Sequence, residues 1–227
     1  AGTGTSGATV AFGVKENNFL GKGINLDTIA SITEETIKGE FYVKNPNFKN
    51  SDKSIYAGIE AVEIDRSTAF GYKTNKTGFS FGTEFEYLDD LNLGIGFTNF
   101  YEKISTDGSA SALQKTQDGN YWDTFLKLDF DYDKRNQKFQ TTDGFKSVYS
   151  LDLPLVSDTN TLVNSYHYNY YTELYEENIT NASFFVKTAN SITGDNIKLS
   201  ERLFIPGRKL RGFERGKIGP KDGEDYI

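Results

Sequence analysis

"TGFSFGTEFEY", residues 77–87, alternates with a period of two. Phe79, Phe81, Phe85 and Tyr87 fall on one side of an extended chain, and Gly78, Ser80, Gly82, Glu84 and Glu86 on the other. Successive side chains of a β-strand point to opposite faces, so this segment reads as a strand with one apolar face and one small or charged face. "WDTFLKLDFDYD", residues 122–133, repeats the pattern, with Trp122, Leu126, Leu128, Phe130 and Tyr132 opposite Lys127, Asp129, Asp131 and Asp133. Four charges on one strand face cannot sit unpaired in a dry core, so that face meets water.

The same period recurs along the chain. Ala8, Val10, Phe12 and Val14 form one apolar set; Ile24, Leu26, Ala30 and Ile32 a second; Ile37, Phe41 and Val43 a third, opposite Lys38, Glu40 and Lys44. Further sets are Leu91 to Tyr101, Tyr149 to Leu155, Leu162 to Leu174 through Tyr166, Tyr168 and Tyr170, and Ala182 to Val186. Residues 54–64 switch phase near Val62, which predicts a bulge there. In all, ten strands are predicted. Polar connections at 65–76 and 105–120 alternate with short ones such as Asp89–Asp90, the pattern of an antiparallel meander, and no helix of ordinary length is indicated. "GTGTSG" at 2–7 lacks the strand–turn–helix context of a phosphate cradle and reads as a hairpin turn.

Composition removes whole classes of function. There is no cysteine and one histidine, His167, so neither a disulfide framework nor a thiolate or multi-histidine metal centre is possible. With a net charge of −7, the chain lacks the overall basic surface that non-specific nucleic-acid binding needs. His167 falls on the polar face of a Tyr-rich strand and has no evident Ser partner for a triad, and Asp129 and Asp131 belong to a run of charges that reads as wall lining. "NIT" (178–180) and "NAS" (181–183) match a glycosylation pattern without further support.

No apolar run approaches the ~20 residues of a spanning helix, but barrel strands need only ~9–11 alternating residues. A soluble sandwich would need roughly seven short strands. Here the strands are long, the apolar faces end repeatedly in Tyr or Phe like an interfacial girdle, and the opposite faces carry small and charged residues. This favours an all-β, antiparallel transmembrane β-barrel over the sandwich. Ten strands followed by a charged loop leave an open edge, which lipid does not tolerate, so the sequence reads as part of a larger barrel.

That loop contains "GRKLRGFERGKIGP", residues 207–220, with five basic residues, four glycines and one acid, Glu214. Leu210, Arg211, Gly212 and Phe213, with Gly207, Gly219 and Pro220 in support, resemble the sixth external loop of the BamA-type outer-membrane assembly factors. Their hallmark there is a β-branched residue followed by Arg, Gly and Phe or Tyr, with Ile-Gly-Pro further on; Leu210 replaces the β-branched residue. "ENNFLGKG" (16–23) is similar to the turn after the family's second strand, and "VKNPNF" (43–48) to its fourth strand entering a turn. "FQTTDGFK" (139–146), with Thr142, Asp143 and Gly144, is similar to the Pro-Thr-Asp-Gly turn before its ninth strand, Thr141 standing in place of Pro.

The resemblance implies that residues 1–227 are a partial outer-membrane β-barrel domain. It would hold the tail of strand one, strands two to eleven of sixteen, and the start of the motif loop, with the periplasmic POTRA domains outside this chain. It further implies a bacterial outer-membrane location and no enzymatic chemistry or cofactor. The implied partners are the lipid bilayer, unfolded β-barrel clients and accessory assembly lipoproteins, with no nucleic acid. The implied role is folding and insertion of barrel proteins through a weakly paired lateral gate, the motif loop bracing the lumen and Arg211 pairing with carboxylates of later strands. A secretion pore of the two-partner or translocation-module kind, and a passive porin, are the alternatives.

Overall fold

The computed structural model describes residues 2–4, 7–176 and 178–203. Eleven strands run β1 (Gly2–Gly4), β2 (Gly7–Phe19), β3 (Ile24–Ile32), β4 (Thr36–Asn45), β5 (Ser54–Arg66), β6 (Tyr72–Leu88), β7 (Leu91–Thr106), β8 (Gly119–Asp133), β9 (Gly144–Ser157), β10 (Thr161–Tyr175) and β11 (Asn178–Ser191). They form one sheet in strict sequence order, and the pairings are antiparallel throughout. The ten long strands lie where the alternation places them. β1 is a stub that pairs antiparallel with the start of β2, Gly4 opposite Gly7, as the hairpin reading of "GTGTSG" requires. Two four-residue helices, α1 (Ser67–Phe70) and α2 (Ala112–Lys115), and a 3-10 turn at Phe48–Asn50 are the only helical pieces among the described residues.

Burial is inverted relative to a water-soluble domain. Phe12 is 75% exposed, Ile59 59% and Phe184 57%, whereas Glu102 and Asp123 are each 2% exposed. Register explains the segregation: Phe81 pairs with Phe97, Phe97 with Leu126 and Leu126 with Leu153, so apolar side chains form rows across one face. Phe79, Phe81 and Phe97 touch there, with the Phe81 and Phe97 ring centroids 5.1 Å apart. Apolar area of this extent, left uncovered on ten adjacent strands, needs a non-aqueous neighbour. A single sheet in sequence order with an exposed apolar face is the arrangement of a barrel wall rather than of a packed sandwich.

Two sequence expectations fail. β5 keeps continuous register with β4 and β6, so there is no bulge near Val62. The phase switch instead reflects a strand that outruns its apolar band: Val62 and Ile64 turn to the polar face, while Glu63 and Asp65 take the outer one, where Glu63 pairs with Lys73 at 2.6 Å. The connection expected at 65–76 shrinks to 67–71 for the same reason, since the polar ends of β5 and β6 continue the ladder. A true irregularity lies opposite Phe125, where β9 carries Pro154, which lacks a ladder donor.

On the polar face, the paired glycines Gly82 and Gly96 lie beneath Tyr56. A Cβ on Gly96 would sit 2.4 Å from the Tyr56 hydroxyl, and one on Gly82 2.5 Å from the Ile95 carbonyl oxygen. Tyr56 in turn stacks on Tyr42, with centroids 5.8 Å apart. One end of the sheet carries the connections 20–23, 46–53, 89–90 and 134–143. The other carries 33–35, 67–71, 107–118, 158–160 and the segment 192–203. The sole buried apolar cluster among the described residues, Tyr72, Ile104 and Leu199, lies at this second end and ties 192–203 to β6 and β7.

Candidate functional site

The chain leaves β11 and folds back over the polar face, where Ile197, Lys198 and Leu199 are each 3–4% exposed. Lys198 is the centre. Its ammonium lies 2.9 Å from Glu102 Oε2 and 3.3 Å from Glu201 Oε1, and it donates a hydrogen bond to Asp123 Oδ2. Its Nζ is 5.2 Å from the centroid of the Tyr121 ring.

Strand geometry puts the two wall carboxylates together. Tyr101 pairs with Trp122, so Glu102 of β7 and Asp123 of β8 are diagonal neighbours on the polar face, with the Tyr101 and Trp122 rings tilted against each other outside at 6.2 Å. Each acid has a second partner: Ser200 Oγ donates to Glu102 at 2.8 Å, and the Thr159 hydroxyl donates to Asp123 Oδ1 at 3.2 Å. The Leu199 N–H donates to Gln117 Oε1 at 2.8 Å, and the Gln117 amide donates to the Ile197 carbonyl at 3.4 Å. Lys198 thus ties the segment after β11 to two strands, while Ile197 and Leu199 tie it to the 107–118 connection and Glu201 to Thr159 of the 158–160 connection. A second ammonium, Lys76, is paired in register with Glu102 and lies 3.5 Å from the Phe100 ring centroid.

Burial alone would pull the Lys198 ammonium down, but Glu201, Glu102 and Asp123 outweigh it and hold it above the ordinary lysine range. Burial pushes the Glu201 carboxyl up by more than Lys198 pulls it back, although Thr161 also hydrogen-bonds it. Lys198 therefore stays charged, and Glu201 takes up a proton readily as the pH falls. A buried cluster of this kind acts here by fixing the position of the segment that carries Lys198.

Leu210, Arg211, Gly212 and Phe213, with Gly207, Gly219 and Pro220, lie outside the described residues; Lys198 stands twelve positions before Leu210. The turn residues Thr142, Asp143 and Gly144 are described, and their hub is one that sequence reasoning missed. Asn136 donates to Thr142 Oγ1 at 2.6 Å and accepts from the Thr142 and Asp143 N–H groups at 3.2 and 3.3 Å. Gly144 has φ +98°, and a Cβ there would meet the Lys134 carbonyl oxygen at 2.2 Å. Thr141 Oγ1 donates to the Gln137 carbonyl at 2.7 Å.

Sequence reasoning also missed Lys198, Glu102 and Asp123. Both acids fall next to outward aromatics, Tyr101 and Trp122, and so share the polar phase of their strands, but nothing in the sequence names their partner. His167 lies on the polar face as expected, with Nε2 3.2 Å from Ser183 Oγ and its ring edge-on to Phe185 at 6.0 Å. That Ser partner was not evident from the sequence, and the contact lies at the surface, with His167 half-buried and Ser183 exposed. Asp131 accepts from Lys146 Nζ at 2.8 Å, an ion pair across β8 and β9. Among the described residues, no cluster of His, Asp or Glu is arranged to hold a metal ion.

Residues 18–227 match the Omp85 superfamily domain. The chain belongs to the Omp85 superfamily. Among solved structures, that of BamA from Haemophilus ducreyi lacking POTRA domains 1–3 is similar over 95% of this chain, with a TM-score of 0.82 and 21% sequence identity. This chain covers 45% of the length of that one, so it spans about half of the barrel protein it resembles. A search of curated proteins finds no match. The antiparallel meander of this Omp85 chain is thus the BamA-type barrel fold, its apolar face the outer surface and its polar face the inner wall. The Lys198 anchor accordingly lies on the inner wall of an Omp85 barrel.

Proposed function

We propose that this chain is barrel-forming sequence of an outer-membrane insertase, a central assembly subunit that folds and inserts other β-barrel proteins in a bacterial outer membrane. The observation that carries the reading is the segment after β11, held on the inner wall by Lys198 between Glu102 and Asp123. That segment precedes the Leu210–Phe213 motif in sequence, and in this reading the motif loop acts on the lumen side of the wall. Arg211 has the planar five-donor fork suited to clamping a carboxylate once delivered there.

In this reading the wall opens laterally between weakly paired terminal strands and templates an incoming strand by β-augmentation, while the motif loop keeps the inner wall in register. Client barrels and accessory lipoproteins are the partners, and no bond is made or broken. The test is Arg211→Ala in the full-length protein under depletion of the wild-type copy. Loss of client-barrel assembly with a protease-sensitive loop supports the role; normal assembly, a resistant loop and unchanged stability would refute it. A passive porin would instead give ion conductance that follows inner-wall charge, with other barrels assembling normally.

A further inference from the structure

The outer surface carries a notch at the end opposite the Lys198 anchor. Leu91, Tyr132, Ser147 and Tyr168 form one outward row across β7 to β10, and Leu93, Phe130, Tyr149 and Tyr166 form the next. Ser147 is the one small side chain in these rows, and its hydroxyl is tied down by donating to Tyr166 Oη at 3.2 Å. The result is a cavity of about 370 Å3, walled by Leu88, Leu91, Phe130, Tyr132 and Tyr149 with Ser147 in its lining. Its size falls in the lower part of the ~300–1,000 Å3 typical of small-molecule sites. Unlike the smooth rows of Phe and Leu nearer mid-strand, it is a depression in a surface that faces acyl chains.

The rim is charged and asymmetric. Asp89 lines the notch beside the β6–β7 turn and is exposed. The neighbouring Asp90 is occupied, accepting a hydrogen bond from Lys134, whose ammonium also lies 5.8 Å from the Tyr132 ring centroid. Two acids and one base leave an excess negative charge at the mouth, where an aromatic ring marks the membrane–water boundary. An anionic phosphate alone would be repelled, whereas a headgroup ending in an ammonium would find Asp89 at hydrogen-bonding reach of the interface.

We propose that this notch is a lipid site, seating one acyl chain of a phosphatidylethanolamine molecule between Tyr132 and Tyr149 with the headgroup ammonium paired to Asp89. It rests on the reading of the outer surface as membrane-facing. A bound ethanolamine lipid here would fix the height of the 89–90 turn in the leaflet and staple β6–β7 to β8–β9 on the outside.

The test uses the full-length protein reconstituted in bilayers of phosphatidylethanolamine and phosphatidylglycerol, with retained lipid measured by native mass spectrometry. Phosphatidylethanolamine should be retained over phosphatidylglycerol, and Asp89→Asn should cut that preference by about two- to five-fold, the worth of one exposed ion pair. Ser147→Phe, which fills the notch, should abolish retention of the tightly held lipid. Heat-modifiable migration checks that each variant folds, and Ser147→Leu replaces Ser147→Phe if the larger side chain blocks folding. Barrels that insert normally but retain both lipids equally, or retain them unchanged after the notch is filled, would show an annular lipid only and overturn the proposal while leaving the membrane reading intact. A chain that never partitions into any bilayer would overturn both.

Discussion

Lys198→Met isolates the anchor, because methionine keeps the length of the side chain while removing its charge. The substitution leaves Glu102 and Asp123, each 2% exposed, facing one another and Glu201 without the ammonium they share. Among the described residues Lys76 is the other cation near Glu102, but it lies over the Phe100 ring and pairs in register with Glu102 alone of the two wall acids. Breaking a buried ion pair from one side costs about 3–5 kcal/mol, because the orphaned partner stays desolvated. The Leu199 N–H, which donates to Gln117, reports the opening of the segment directly. At 1.4 kcal/mol per decade, its hydrogen exchange in the membrane-embedded full-length protein should speed up roughly a hundred-fold to a few-thousand-fold. Adding Glu102→Gln to Lys198→Met should recover part of the loss, since the second change removes an uncompensated charge. If the Leu199 amide exchanges at the wild-type rate in Lys198→Met, the ion pair does not hold the segment and the anchor argument falls.

Three further outcomes follow from particular atoms. Glu201 has a raised folded value, so protonating it favours the folded anchor; that contribution is complete below the ordinary 4.5 and fades as pH rises through the raised value. Lowering the pH from neutral toward 4.5 should therefore slow Leu199 exchange relative to a Glu201→Gln variant, in which this part of the pH dependence is absent. Lys198 behaves with the same sign at the alkaline end: its contribution is intact below 10.5 and is lost as pH rises from there through its raised value, so proteolysis of 192–203 should remain slow up to 10.5. Gly144→Ala forces a side chain into positive φ against the Lys134 carbonyl, at a cost of about 1–3 kcal/mol from conformation alone before the clash is counted. Heat-modifiable migration and urea unfolding of the barrel should register that loss, and an unchanged midpoint would show that the 134–143 turn relaxes freely.

The sequence determined which side of each strand meets water. Alternation is a local property with period two, and it holds from Val10 to Val186 because each strand needs one face for lipid and one for the lumen. It also carried the family, through short motifs whose order is fixed along the chain. Where the alternation changes meaning it misled: at 62–66 the outer face passes from apolar to charged, and a local reading takes that for a bulge followed by a loop. Whether such a stretch continues the ladder depends on its neighbour strands, which a single segment does not encode.

Only the tertiary structure decided what the polar residues do. Glu102, Asp123 and Lys198 are three unremarkable charges separated by 21 and 75 positions in sequence. They become one site because the register of β7 on β8 sets two acids on a diagonal and the chain after β11 folds back to bring the lysine between them. Asn136 and Ser147 are likewise silent in sequence; one gains its role from a turn that closes around it, the other from the large rings on either side. Face polarity follows from the chain's own repeat, whereas ion pairing in a low-dielectric wall depends on distances that exist only once the strands are in register.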